Sequence, residues 1–188
     1  MGMSGFGYNC GMDTATQNRA VFLDRDGVIN IEKEYLHRID EFDFIDGVFE
    51  ACQKWQNDGY ILFIVTNQSG IGRGYYTEKD FDKLTSWMLE QFAAHHISIT
   101  HVYHCPHTPN AGCSCRKPLP GMFEEAKKTY TLDMSSSWMI GDKESDIEAA
   151  RAAGITQTIL VQSGHKIDAQ NSKATYVLGS IKEAKDII

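Results

Sequence analysis

The chain has 188 residues, 42% of them hydrophobic and 23% charged, with a formal net charge of -7. That length and mix suit one globular domain with a proper core. The acidic balance argues against a nucleic-acid binder, which presents a basic face, and no apolar run approaches the ~18 residues a membrane span requires.

Residues 1–19 show no periodicity and lack the apolar middle of a signal peptide, so they read as a flexible N-terminal extension ahead of a single domain over 20–188. Five cysteines, an odd number without a secretory signal, point to a reducing cytoplasm rather than a disulfide framework. The run 20–23, ending in Val21, Phe22 and Leu23, reads as a buried strand, with Gly27 as the tight turn after it. Asp24 and Asp26 stand at its C-terminal end, where open α/β sheets put their ligands. Close carboxylates repel, so a site that keeps both either binds a cation or leaves a proton on one.

The spacing of Val48, Ala51, Cys52 and Trp55 predicts a helix over 47–58, ended by Gly59. The continuous apolar run 61–65 suits a parallel strand buried on both faces, and a Gly-rich loop, 68–74, follows. Thr77 with Asp80 forms a capping signal for a helix reaching about 94, whose buried stripe is Phe81, Leu84, Met88 and Phe92. A strand at 97–103 precedes an irregular stretch, 104–120. Then come a helix at 122–130, a strand at 138–140, a helix at 145–153 closed by Gly154, a strand at 158–161, a short strand at 175–178 and a terminal helix. Repeated β-α units predict an α/β fold: a three-layer, Rossmann-like parallel sheet.

Three more features end strands on the same edge of such a sheet. Thr66, Asn67, Gln68 and Ser69 follow the second strand, Arg116 and Lys117 precede a helix, and Asp142 to Asp146 follow a later strand. Together they supply anionic metal ligands, hydrogen-bond donors and cations around one point, as a phosphoryl group held against a divalent metal requires. A lone aspartate at a strand end is mostly a turn former or cap, which fits Asp40, Asp58 and Asp133. Two acids flanking an arginine behind a buried strand are not explained that way, whereas Asp146 could serve only to cap or orient its loop.

Asp24-Arg25-Asp26-Gly27, Thr66, Lys117 and Gly141-Asp142 in this order resemble the haloacid dehalogenase superfamily of phosphotransferases. The longer matches, over 24–30, 44–48, 66–74, 115–118 and 141–143, narrow the resemblance to the branch that removes the 7-phosphate of heptose 1,7-bisphosphates, with zinc-bearing histidinol-phosphatases as near relatives. The resemblance implies that Asp24 is the nucleophile and passes through an aspartyl-phosphate, that Asp26 is the general acid and base, and that Thr66 and Lys117 hold the transferring oxygens. It implies Mg²⁺ on Asp24, the Asp26 carbonyl and Asp142. Arg116 would recognise the substrate through its second phosphate, while Asn67, Gln68, Ser69 and Lys143 would line the pocket. Glu32-Lys33-Glu34-Tyr35 occupies the substrate-recognition loop, in a more acidic form than the family's Gly-containing pattern. The segment 30–44 is too short for a cap domain, so the fold is expected to be capless.

Cys105, His107, Cys113 and Cys115 place three thiolates and an imidazole within eleven residues of a polar loop, the donor set of a closed tetrahedral zinc site. His101 and His104 rival His107, and the family pattern selects His107. Four protein ligands leave no open position, so the zinc is read as structural, pinning Arg116 and Lys117. Cys52 reads as core, and Cys10 has no evident partner. The expected function is a monomeric, Mg²⁺-dependent phosphatase of a small sugar bisphosphate. The alternatives are a histidinol-phosphate phosphatase, a non-catalytic zinc-containing binding module and, against the acidic charge, a nucleic-acid 3'-phosphatase.

Overall fold

A computed structural model describes residues 17–166 and 168–188. Six parallel strands form its sheet: β1 (Ala20–Leu23), β2 (Ile61–Asn67), β3 (Ile99–Cys105), β4 (Trp138–Gly141), β5 (Gln157–Val161) and β6 (Tyr176–Leu178). Their order is β3-β2-β1-β4-β5-β6. The chain builds outward from β1 to β3, then returns to β1's other side and builds outward again. The crevice above β1 is therefore a topological switch point, where sheets of this kind bind ligands.

Helices α1 (Val48–Asn57), α2 (Ser69–Gly72), α3 (Glu78–Ala94), α4 (Gly121–Thr129), α5 (Glu144–Ala152) and α6 (Ile181–Ala184) connect or follow the strands. Alternation along β1 shows the three layers: Val21 and Leu23 pack with Trp55 of α1, Met88 of α3 and Ile181 of α6. Ala20 and Phe22 pack on the opposite face with Phe123 of α4 and Ala149 of α5. Successive strand side chains point to opposite faces, so a strand between two helix layers must be apolar throughout. The four β1 residues are fully buried, as is Cys52, the expected core cysteine.

The capping box at α3 forms as its sequence predicts, Thr77 and Asp80 exchanging backbone and side-chain bonds. Most boundaries differ from expectation by one or two residues. The strand expected at 97–103 is Ile99–Cys105, because His96 takes a left-handed φ of 59° and the Ile97 amide bonds back to the Phe92 carbonyl. Ile97 thus closes the helix instead of opening the strand, as a helix C-terminus with a left-handed residue does. The expected Gly-rich loop contains the single helical turn α2.

Of the proposed extension, residues 1–16 lie outside the described residues. Asn18 exchanges backbone hydrogen bonds with Thr131 and Asp133, and the Arg19 guanidinium lies over the Tyr60 ring. Between β1 and α1 the helical element is a three-residue 3-10 turn, Ile39–Glu41, accompanied by isolated bridges pairing Asn30 with Asp26 and Phe44. Among the described residues, no helix is long and apolar enough to cross a membrane.

Candidate active site

Parallel strands bring all their C-terminal ends to one edge, and there a cavity of about 440 Å³ opens. Asp24, Asp26, Glu32, Glu34, Tyr35, Thr66, Asn67, Gln68, Ser69, Arg116, Lys117 and Lys143 line it. Lys33 does not reach it: its ammonium is held by the Asp43 carboxylate at 2.7 Å.

At the floor, the Asp24 amide continues the ladder by donating to the Ile140 carbonyl, 2.9 Å. Its Oδ1 accepts the Arg25 amide and meets the Lys117 ammonium at 3.0 Å. Lys117 also contacts Asp146 Oδ1 at 2.6 Å and donates to the Val65 carbonyl at 2.7 Å. Burial disfavours the lysine's charge, but Asp146 and then Asp24 outweigh it and raise its pKa. Burial raises the Asp24 pKa well above the ordinary carboxylate value; Lys117 opposes the rise, and Asp146, Asp142 and Asp26 add to it. Asp146 Oδ2 meanwhile accepts the Lys143 amide at the start of α5, so Asp146 both caps the helix and anchors the lysine.

Asp26 stands in a ring of donors. Arg25 reaches it through Nε at 3.1 Å and Nη2 at 2.9 Å, Asn30 Nδ2 at 3.0 Å and Gln68 Nε2 at 3.0 Å. The same Gln68 nitrogen donates to Thr66 Oγ1, and its Oε1 accepts the Tyr76 hydroxyl. Asn67 lines the cavity, yet its amide group exchanges two bonds with the Lys117 backbone. It therefore fixes the loop that carries the lysine.

Asp142 is fully buried. Its Oδ2 accepts the His165 backbone amide at 3.1 Å and His165 Nδ1 at 2.5 Å, whereas Oδ1 has no hydrogen-bond partner. A Cβ on Gly27 or Gly164 would run into this carboxylate, and Gly27 also needs its φ of 84°. A buried carboxylate oxygen without a donor is costly. Carboxylate oxygens of Asp24, Asp142 and Asp146 lie within 4.8 Å of one another. This all-oxygen set with an orphaned atom fits a hard divalent cation such as Mg²⁺.

Beside it, Cys105, His107, Cys113 and Cys115 gather their donor atoms within 4.8 Å. Cys105 and Cys113 sulfurs are 3.7 Å apart, and Cys105 Sγ is 3.6 Å from His107 Nδ1. Cys115 Sγ is closer, 3.2 Å from both Cys105 Sγ and His107 Nδ1. A zinc ion with Zn–S bonds of ~2.3 Å sets tetrahedral S···S edges of ~3.8 Å, so Cys115 would move outward by about half an ångström to hold that ion. His104 instead pairs with Glu78, and His101 packs on Tyr103, leaving His107 as the imidazole of the cluster.

Sequence reasoning missed the support of these groups. Arg25 and Asn30 sat inside the recognised motif without a role, and Tyr76 lay in no motif. His165 carried no signal except its place just after β5, on the same sheet edge.

The family described as HAD-hydrolase-like matches residues 114–184. The chain is 51% identical over 150 residues to the D-glycero-alpha-D-manno-heptose-1,7-bisphosphate 7-phosphatase of Campylobacter jejuni, covering 80% of this chain and 86% of that one. It is 48% identical to the D-glycero-beta-D-manno-heptose-1,7-bisphosphate 7-phosphatase of Vibrio cholerae, covering 87% and 92%. A crystal structure of D,D-heptose 1,7-bisphosphate phosphatase from B. bronchiseptica, complexed with magnesium and phosphate, superposes with a TM-score of 0.83 at 30% identity, covering 90% and 97%. With identity of that degree across most of both sequences, the chain belongs to the D-glycero-manno-heptose-1,7-bisphosphate 7-phosphatase family.

Proposed function

We propose that this protein removes the 7-phosphate of D-glycero-D-manno-heptose 1,7-bisphosphate, with Mg²⁺ as cofactor and Asp24 as nucleophile. The observation that carries the reading is the buried Asp142 oxygen without a partner, within the same acid cluster as Asp24, in a cavity that also holds Thr66, Arg116 and Lys117. Mg²⁺ on Asp24, the Asp26 carbonyl and Asp142 would offset the negative charge of the phosphoryl oxygens.

The residues act as follows. An Asp24 oxygen attacks phosphorus in line, the bond to the sugar oxygen breaks, and Asp26 gives that oxygen its proton. Asp26 then takes a proton from water, which attacks the aspartyl-phosphate and frees inorganic phosphate together with the Asp24 carboxylate. The Thr66 hydroxyl and Lys117 hold the transferring oxygens, while Lys117 also aims Asp24 through their ion pair. Arg116, whose planar fork suits phosphate, takes the second phosphate. Glu32, Glu34 and Tyr35 face the sugar hydroxyls. In this reading the protein works as a monomer in a reducing cytoplasm.

The test is phosphate release with Mg²⁺ from both anomers of heptose 1,7-bisphosphate, from fructose bisphosphate and from histidinol phosphate. Both anomers are needed because the relatives act on one or the other by name. A heptose bisphosphate should give the highest kcat/KM, and chelation of Mg²⁺ should abolish it. Faster hydrolysis of histidinol phosphate, or none of any substrate, would overturn the reading.

Zinc on Cys105, His107, Cys113 and Cys115 belongs to the same proposal. Cys115 is two residues from Lys117, so the ion would fix the loop that presents both cations. Cys113→Ser should lose the zinc and at least ~10-fold in kcat/KM, as removal of a positioning contact does, while keeping its circular dichroism. Zinc content by atomic absorption and a steady-state assay check it together; normal turnover without zinc would sink the idea.

A further inference from the structure

Asp142 is held asymmetrically. Both bonds to its Oδ2 come from one residue, His165: the backbone amide at 3.1 Å and ring Nδ1 at 2.5 Å. Oδ1 is left bare. Gly27 and Gly164 both pass so close to Asp142 Oδ2 that neither has room for a Cβ. His165 lies in the loop after β5, lines the cavity, and its ring is 41% exposed. Glu32 Oε2 lies 3.9 Å from the same Nδ1, too far for a hydrogen bond, although donor atoms of Glu32, Asp142 and His165 all lie within 4.8 Å of one another.

We infer that His165 is a positioning residue for the divalent cation: by engaging Oδ2 with two N–H donors, it fixes the Asp142 carboxylate so that Oδ1 faces the ion. The inference rests on the proposed cation site at Asp24 and Asp142. Nδ1 carries a hydrogen in this role. Partners that orient a metal-ligating group typically change metal affinity 10- to 100-fold when removed. Substituting the side chain leaves the backbone donor in place, so the lower end of that range applies. Glu32 makes no hydrogen bond to the ring.

The experiment measures Mn²⁺ binding to zinc-loaded, substrate-free protein by the free-ion electron paramagnetic resonance signal, Mn²⁺ standing in for Mg²⁺ at an oxygen site. His165→Ala should weaken binding about 10-fold. His165→Asn carries an N–H at the same number of bonds from Cα as Nδ1 and should recover most of the loss. Asp142→Asn should bind far more weakly than either. Wild-type affinity in His165→Ala, equal weakness in the Ala and Asn variants, or undiminished binding in Asp142→Asn would each overturn the inference. Because no substrate is present, failure of the heptose assay with this binding pattern intact would sink the phosphatase reading and leave the role of His165 standing.

Discussion

Asp24→Asn should abolish phosphate release, by at least ~10⁴-fold, since removing a nucleophile costs more than removing any supporting contact. The fold should survive. In the metal-free protein Asp24 has a pKa raised by burial and by three neighbouring acids, so the native state binds a proton more tightly than the unfolded chain does. Such a group weakens the native state progressively as pH rises from the unfolded value of about 3.9 through the folded one. Asparagine removes that weakening, while Lys117 keeps Asp146 and the Val65 carbonyl as partners. At neutral pH with a chelator present, the variant's Tm should equal or exceed that of the parent. Turnover above a tenth of the parent's would end the covalent mechanism.

Lys117→Ala should do the reverse, damaging fold and activity together. The lysine side chain and that of Asp146 are each 1% exposed, and breaking a buried pair by removing one partner costs about 3–5 kcal/mol. The loss arises because Asp24, Asp142 and Asp146 would then crowd a site with no cation. Urea denaturation with chelator present measures it. Adding Asp146→Ala should restore part of the stability, since the two residues share one network, but none of the turnover. A loss below about 1 kcal/mol in the single variant would mean the ion pairs contribute little. It would then be wrong to treat Lys117 as the counter-charge of the acid cluster.

These two residues were legible in the sequence because each ends a segment whose local pattern is unambiguous. The apolar run before Asp24 could only be a buried strand, and Lys117 follows Cys115 and Arg116 in a motif with few other readings. Strand order was not legible in the same way: alternation of β and α implies parallel neighbours, but the switch above β1 depends on which strands pair. His165 was invisible because its role depends on the return of β5 beside β4, which register decides. Lys33 shows the opposite failure. Its place in the loop suggested substrate contact, but a long flexible side chain goes to the nearest carboxylate, here Asp43. At Ile97, hydrophobicity suggested a strand, and the left-handed backbone at His96 gave the residue to the helix end.

Among the described residues, the link between β1 and α1 carries no helix besides its single 3-10 turn, and its Glu32, Glu34 and Tyr35 line the cavity. Enzymes that close a lid over a covalent intermediate keep bulk solvent away and can hand the group to a second alcohol. With only that link beside the cavity, water would reach the site once the sugar departs, at a concentration no competing hydroxyl can match. If Asp24 carries the phosphoryl group as proposed, that group would pass to water, and a link of this kind favours a hydrolase over a phosphomutase.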